Sequence, residues 1–182
     1  VGELVFLPAI LRELHARMPR AAVRSVSLPA AEVAAGLEDG TIDLAMGYFP
    51  DLERRNFYRQ VLFTDTYVSI VRADHPVKAR KLTLKHTSVP ALLDQPWIGF
   101  DDDHSYMPGQ HWLHEQLGRR PEIRVNNWLV LHDAVRSGAG LAVMPCYLAD
   151  QDPRLRRVGG LLPEITTEQW LLVHRDLRAL PR

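Results

Sequence analysis

Aromatic and polar side chains follow the predicted strands of this 182-residue chain. Aromatic rings offer stacking surfaces of roughly 150–250 Å² each, while a histidine or the free N–H groups at a helix start can hold a carboxylate or a phenolate. In open α/β folds, ligands bind beyond the carboxyl ends of the strands. The pattern therefore predicts a binding site for a small aromatic acid or phenol. The residues at these strand ends are Pro29, Gly47, Tyr48, Phe49, His104, Tyr106, Asn126, Asn127, Trp128 and Pro145.

Histidines and acidic residues between positions 101 and 115 raise the alternative of a metal site. His111 and His114 would share one face of a helix, but the spacing typical of zinc ligands and a remote third ligand are not evident. Trp112 and Leu113 between them favour an ordinary amphipathic helix with a solvated histidine face. We therefore expect no metal ion and no cofactor.

The chain also lacks the residue patterns of an enzyme. No serine-centred turn is present, and Cys146 stands beside Pro145 without a partner that would activate its thiol. The Gly138-Ala139-Gly140 run closes a predicted helix and precedes a strand, whereas a dinucleotide fingerprint follows a strand and opens a helix. A left-handed turn explains that run better. These observations predict a binding domain and not a catalyst.

The overall composition limits the partners and the compartment. Lys+Arg and Asp+Glu number 22 each, so the formal net charge is zero, whereas a domain that grips a phosphate backbone is usually basic. Neither a membrane-length apolar run nor a signal-peptide pattern is present. The single cysteine excludes an internal disulfide and fits a reducing compartment. The segment is expected to be cytoplasmic and to touch neither DNA nor membrane by itself.

Hydrophobic periodicity and turn residues give the elements that would position the site. The pattern predicts an α/β fold of two Rossmann-like lobes with mainly parallel sheets. Lobe I would comprise residues 1–73 with a short return from about 171 to 182, and lobe II residues 74–170, with the break at Asp74-His75-Pro76. Helices are predicted at 4–18, 29–40, 89–93, 111–117 and 129–137; strands are predicted at 22–28, 42–46, 57–63, 67–71, 97–100, 123–125, 141–144 and 170–174. The arginine-rich run 154–157 is interpreted as a solvated turn.

Three blocks resemble the effector-binding domain of LysR-type transcriptional regulators. They are GLEDGTIDLAMG at 36–47, FTDTYVSIVRADHP at 63–76 and GAGLAVMP at 138–145. The resemblance implies a periplasmic-binding-protein-like (type II) architecture that binds a small organic effector in a cleft between the lobes. It also implies a homodimer or homotetramer paired through the first helix and the helix around 31–37. DNA would be contacted through an N-terminal winged helix-turn-helix domain that this chain does not contain, and we expect the chain to be a fragment trimmed at both ends.

Three shorter segments limit the resemblance to one branch of this family. GELVFLP at 2–8, DLAMG at 43–47 and FPDL at 49–52 resemble the salicylate-responsive branch that regulates naphthalene and nitrotoluene degradation. The resemblance places Phe6 and His104 in the effector pocket. A second pocket histidine of that branch corresponds to Asn127, and since an amide carries no positive charge, the effector's identity stays open. The alternative is a solute-binding protein of a transport system with the same fold, which would require export.

Overall fold

A computed structural model of the chain describes residues 5–49, 52, 57–77, 94–104 and 106–174. The chain divides into two compact units, one formed by Val1–Thr64 with Glu168–Arg182 and the other by Asp65–Thr167. Two long strands, β2 (Phe57–Arg72) and β6 (Leu155–His174), run from one unit into the other. The sequence analysis places the boundaries between the lobes near residues 73 and 171. The cleft expected between the lobes stays a prediction.

The first unit begins with two helices, α1 (Leu7–Arg17) and α2 (Ala30–Asp39), followed by strand β1 (Leu44–Gly47). Pro29 precedes α2 and Gly40 ends it with φ +78°, the left-handed conformation that glycine takes without strain. Strand β1 pairs antiparallel with the end of β6. The core of this unit consists of Val33, Ala34, Leu37, Ala45, Leu52, Phe57 and Leu172. Helix α1 contributes no buried residue.

The second unit is an α/β sheet with helices between its strands. Its strand order is β2-β5-β3-β4, with β3 parallel to both neighbours and β2 antiparallel to β5. The sheet is therefore mixed, and the α/β class is confirmed. The helices and strands after β2 are β3 (Trp97–Phe100), α3 (Pro108–Leu117), β4 (Ile123–Val125), α4 (Trp128–Arg136), β5 (Leu141–Pro145) and the short α5 (Cys146–Ala149).

Three predictions of secondary structure are wrong. Residues 22–28, all of which the structure describes, form no strand, and Val23 and Val26 are 49% and 45% exposed, so β-branched residues alone did not produce one. The two strands predicted at 57–63 and 67–71 are one continuous strand, β2. The run 154–157 is not a turn, because β6 starts at Leu155. The helix predicted at 89–93 lies outside the described residues.

The strand predicted at 170–174 is only the end of β6, which starts at Leu155, and helix α5 at Cys146–Ala149 was not predicted. The helices α1 to α4 and the strands β1, β3, β4 and β5 appear where the sequence predicts them, within a few residues at each end. Gly118 and Gly138 follow helices α3 and α4 with φ +61° and +85°, which confirms the left-handed turn expected at 138–140. Within the described residues, no helix has both the length and the apolar character needed to cross a membrane.

Candidate functional site

The carboxyl ends of β3 and β5 meet at a switch point of the second unit. After β3 the chain continues through α3 to β4 on one side of the sheet, whereas after β5 it continues through α5 to β6 on the other side. Neighbouring parallel strands whose connections diverge in this way leave a crevice at their carboxyl ends, where open α/β sheets bind ligands. The loop after β3 and the start of α4 both lie at this end of the sheet.

Four rings form an aromatic cluster here, defined as Phe100, His104, Tyr106 and Trp128. The Phe100 ring lies 4.7 Å from the Trp128 ring in an edge-on arrangement and 5.5 Å from the His104 ring. The His104 and Tyr106 rings stack at 6.4 Å. Phe100 and Trp128 are buried and Tyr106 is 56% exposed, so the cluster grades from core to surface. The structure thus brings together three residues that the sequence places in the site.

His104 is held in place by the carboxylate of Asp101. The two side chains meet at 2.7 Å between Nδ1 and Oδ1. Because an ionised carboxylate only accepts hydrogen bonds, Nδ1 must carry the proton. In the neutral ring Nε2 is then an acceptor, and in the imidazolium form it is a donor. The same side chain can therefore meet a phenolic hydroxyl or a carboxylate.

Two buried donors near the cluster have no hydrogen-bond partner among the described residues. One is Nε1 of Trp128 and the other is Nε2 of Gln110. Gln110 is only 1% exposed, and its Oε1 accepts from the backbone N–H of Phe100 at 2.7 Å. Sequence reasoning missed Gln110, because the helix was predicted to start at 111 and the residue type of a glutamine gives no sign of burial.

Asn127 and Pro145 have structural roles in this unit. Asn127 is the N-cap of α4: its Oδ1 accepts from the backbone N–H of Leu129 at 2.7 Å. Asparagine is among the preferred residues for that position. Pro145 ends β5 and precedes α5. Whether either residue touches a ligand stays a prediction.

The other predicted site residues belong to the first unit. The Phe6 ring packs against the Phe63 ring at 5.1 Å. The Phe49 ring lies over Gly47, where an added Cβ would come within 3.2 Å of it, and Phe49 also packs against the core of the unit. Tyr48 is half-buried, and Pro29 is the N-cap of α2. Their part in ligand binding is likewise untested.

A charged hollow of about 530 Å³ lies beside the cluster and is lined by Asp101, Asp102, Asp103, Glu122 and Arg124. Two of its acidic residues form ion pairs within the unit. Asp102 pairs with Arg120 at 3.2 Å and with Arg124 at 3.7 Å, and Glu122 pairs with Arg119 while its Oε2 accepts from the backbone N–H of Trp97 at 2.9 Å. With four carboxylates and one arginine in its lining, the hollow offers no attraction for an anionic ligand.

The histidines of α3 do not assemble a metal centre. His111 pairs with Glu115 at 3.3 Å on the exposed side of the helix. Among the residues that the structure describes, no three His, Cys, Asp or Glu side chains are grouped so that they could hold a metal ion. Cys146 is 7% exposed, and burial raises the pKa of its thiol to about 11, which opposes thiolate chemistry at neutral pH.

Residues 2–182 match the family model of the LysR substrate binding domain. The chain is 33% identical over 158 residues to the HTH-type transcriptional activator NahR of Pseudomonas putida, covering 82% of this chain and 49% of that protein. It is 32% identical over 147 residues to the HTH-type transcriptional activator NagR of a Ralstonia species, covering 80% and 47%. The chain thus spans about half the length of these relatives.

The fold is also similar to that of the regulatory domain of CrgA, a LysR-type transcriptional regulator from Neisseria meningitidis. The TM-score is 0.73 at 17% identity, with 98% of this chain and 87% of that chain covered. At this identity the likeness shows the fold alone, and it agrees with the type II architecture that the sequence predicts. The family is one of ligand-binding domains, so the match confirms the prediction of a binding domain over that of a catalyst. On the evidence of its sequence and fold together, the chain belongs to the LysR substrate-binding domain family.

Proposed function

We propose that this chain is the effector-sensing domain of a LysR-type transcriptional regulator and that its effector is a small aromatic acid or phenol. The aromatic cluster carries this proposal. Four rings stand at the switch point of the second unit, where the fold offers a ligand crevice. The identity with NahR and NagR supports the choice of a regulator over a solute-binding protein.

The polar groups around the cluster define the ligand chemistry. Nε2 of His104 meets a hydroxyl in the neutral ring and a carboxylate in the charged ring, since Asp101 fixes the proton on Nδ1. Nε1 of Trp128 is a buried donor without an acceptor in the part of the chain that the structure describes. A flat ring that carries an oxygen acceptor satisfies both groups. The predicted residues of the first unit, Phe6 and Tyr48 among them, remain part of the proposed binding residues.

The proposal for the whole protein is a cytoplasmic homodimer or homotetramer that binds DNA through an N-terminal domain. Helix α1 supports the oligomer, because Ile10, Leu11 and Met18 on and beside it are 45%, 37% and 56% exposed. The apolar residues Val33 and Leu37 of helix α2 are buried in the core of the unit. Only the outer side of this helix would therefore contact a partner subunit. An effector can shift such an assembly only by its differential affinity for two states.

Calorimetric titration of the chain with benzoate, salicylate, nitrobenzoates and chlorophenols tests this function, with amino acids as controls. Thermal melting gives a second readout, because a ligand at 100 times its Kd stabilises the fold by about 2.7 kcal/mol and so raises the Tm by several degrees. We expect binding of an aromatic acid or phenol that His104→Ala weakens at least about tenfold. The matched control is His111→Ala, which removes an exposed histidine of α3. Binding of amino acids alone, or equal loss in both variants, would contradict the proposal.

A further inference from the structure

A buried amide occupies the place where β3 and β5 separate. The N–H of Asp101 donates to a carbonyl of β4 at 2.9 Å. Since successive N–H groups of a strand point to opposite sides, the N–H of Phe100 faces β5. The paired residues of β3 and β5 end earlier, at Ile98 and Ala142. Oε1 of Gln110 accepts the Phe100 N–H instead, at 2.7 Å, so the Gln110 amide lies at the carboxyl end of β3, where its pairing with β5 has ended.

The remaining half of this amide is an unused donor. Because the Phe100 N–H needs an acceptor, the amide orientation is fixed and Nε2 faces away from that bond. Nε2 has no partner among the described residues although Gln110 is 1% exposed. Buried donors without partners are rare in folded proteins and call for an explanation.

Steric constraint holds the amide at this position. An added Cβ at Gly99 would come within 2.6 Å of Oε1 of Gln110 and within 2.7 Å of Cγ of Pro121. The side chain is thus packed directly on the end of β3, and glycine at position 99 leaves the space that it needs. The second unpartnered donor, Nε1 of Trp128, belongs to the ring that contacts Phe100 at 4.7 Å. Both donors without a partner among the described residues thus belong to side chains that contact Phe100.

We propose that Gln110 is a ligand-binding residue of this domain and that its Nε2 donates a hydrogen bond to a carboxylate oxygen of an aromatic acid. The inference rests on the proposed effector-sensing function and adds the residue that recognises the acid group. An amide N–H that donates to an anionic oxygen forms a charge-assisted hydrogen bond, which is stronger than one to a neutral acceptor.

The test uses sodium salicylate and its neutral analogue salicylamide, titrated calorimetrically into the wild-type chain, Gln110→Glu and Gln110→Met. Gln110→Glu keeps an acceptor for the Phe100 N–H but turns the donor into an acceptor. We expect its salicylate affinity to fall about 100-fold, since like charges then face each other, and its preference to change to salicylamide, whose NH₂ donates. Gln110→Met is expected to lose about tenfold in salicylate affinity. Thr167→Val is the matched control, because it removes a different buried polar group, a hydroxyl that has no partner among the described residues.

The outcomes separate this inference from the function on which it rests. If the wild-type chain binds salicylate and both Gln110 variants bind it equally well, the role of Gln110 is overturned while the sensing function stands. If the wild type binds salicylamide as tightly as salicylate, the carboxylate specificity is overturned. If it binds neither compound, both proposals fail for this ligand class. Should Gln110→Glu unfold, which its melting curve would show, Gln110→Met alone decides.

Discussion

The carboxylate of Asp152 accepts three hydrogen bonds from Arg154, one from the backbone N–H at 2.9 Å and two from Nε and Nη2 at 2.8 and 2.7 Å. The arrangement closes the turn that leads into β6, where the N–H of Leu155 donates to the carbonyl of Asp152 at 3.0 Å. Nε2 of His132 lies 3.5 Å from the same carboxylate. The guanidinium hydrogen bonds hold the pKa of Asp152 at about 2.

This low pKa predicts a loss of stability in acid. A carboxyl whose pKa is lower in the folded chain contributes stability above its unfolded pKa, and that contribution disappears as the pH falls from about 4 to about 2. Because the Arg154 side chain is 62% exposed, solvent screening leaves a contribution of about 1 kcal/mol. Asp152→Asn should therefore have a free energy of unfolding about 1 kcal/mol lower than the wild type at pH 7. Urea unfolding at a series of pH values should also show that its stability falls less steeply between about pH 4 and pH 2. Asp102→Asn, at an exposed carboxylate, is the control, and equal losses in the two variants would contradict the prediction.

Asp65 has the opposite pH dependence. Desolvation by burial raises its pKa, although Oδ2 accepts from the backbone N–H of Tyr147 at 3.2 Å. A carboxyl with a raised folded pKa favours folding at low pH, and this advantage is lost as the pH rises through the folded pKa. Asp65→Asn keeps an acceptor and removes the buried charge, so its Tm should match or exceed that of the wild type at pH 7. The difference should vanish at pH 3; a Tm well below wild type at pH 7 would disprove this.

The elements with a clear hydrophobic period could be predicted from the sequence, and β6 shows why others could not. In the part of β6 before the predicted strand at 170–174, the buried positions include Thr167 and Gln169, at 2% and 7% exposure. A strand whose inward residues are polar has no period-two hydrophobic signal. In β1 the opposite problem arises: Leu44 is 53% exposed and Ala45 is buried, so residue type gives the wrong inward face.

The residues of the candidate site could be predicted from the sequence where the residue type itself indicates ligand binding. His104, Tyr106 and Trp128 stand out as aromatic residues after strands, and the structure brings their rings together with Phe100. Gln110 could not be found in this way, because its burial depends on where β3 and β5 separate, which is a tertiary property. The capping role of Asn127 was within reach, since asparagine before a helix is a known N-cap signal.

Gly140 is required by a close backbone approach. A Cβ at this position would lie 2.4 Å from the carbonyl oxygen of Pro96, which also accepts from the N–H of Leu141 at 2.9 Å. Backbone cannot move aside as a flexible side chain can, so Gly140→Ala should destabilise the chain by about 1–3 kcal/mol. Gly160→Ala is the control, because nothing lies within 4 Å of its added Cβ. If urea unfolding gave both variants the same loss in free energy of unfolding, the prediction would be wrong.

Cys146 should be unreactive in the folded chain. Burial raises the pKa of its thiol to about 11, two units above the ordinary value, so the thiolate fraction at neutral pH falls about 100-fold. Reaction with a disulfide reagent at pH 7 should therefore be at least that much slower in the native chain than in 6 M guanidinium. A native rate close to the denatured rate would mean that the thiol is exposed and ionisable.

Asn127 allows a helix cap to be separated from a ligand contact. Its Oδ1 accepts from the N–H of Leu129, so Asn127→Ala should cost about 1 kcal/mol of stability. Asn127→Asp keeps the cap and adds a negative charge at the start of the helix. Because the helix dipole favours negative charge there, this variant should match or exceed the wild-type stability. If Asn127 only caps the helix, salicylate affinity of Asn127→Asp should stay within about twofold of wild type, whereas contact with the carboxylate would lower it by at least about tenfold through repulsion. Urea unfolding and calorimetric titration of the two variants measure these effects separately, and a large loss of affinity in Asn127→Asp at unchanged stability would place Asn127 in the ligand site.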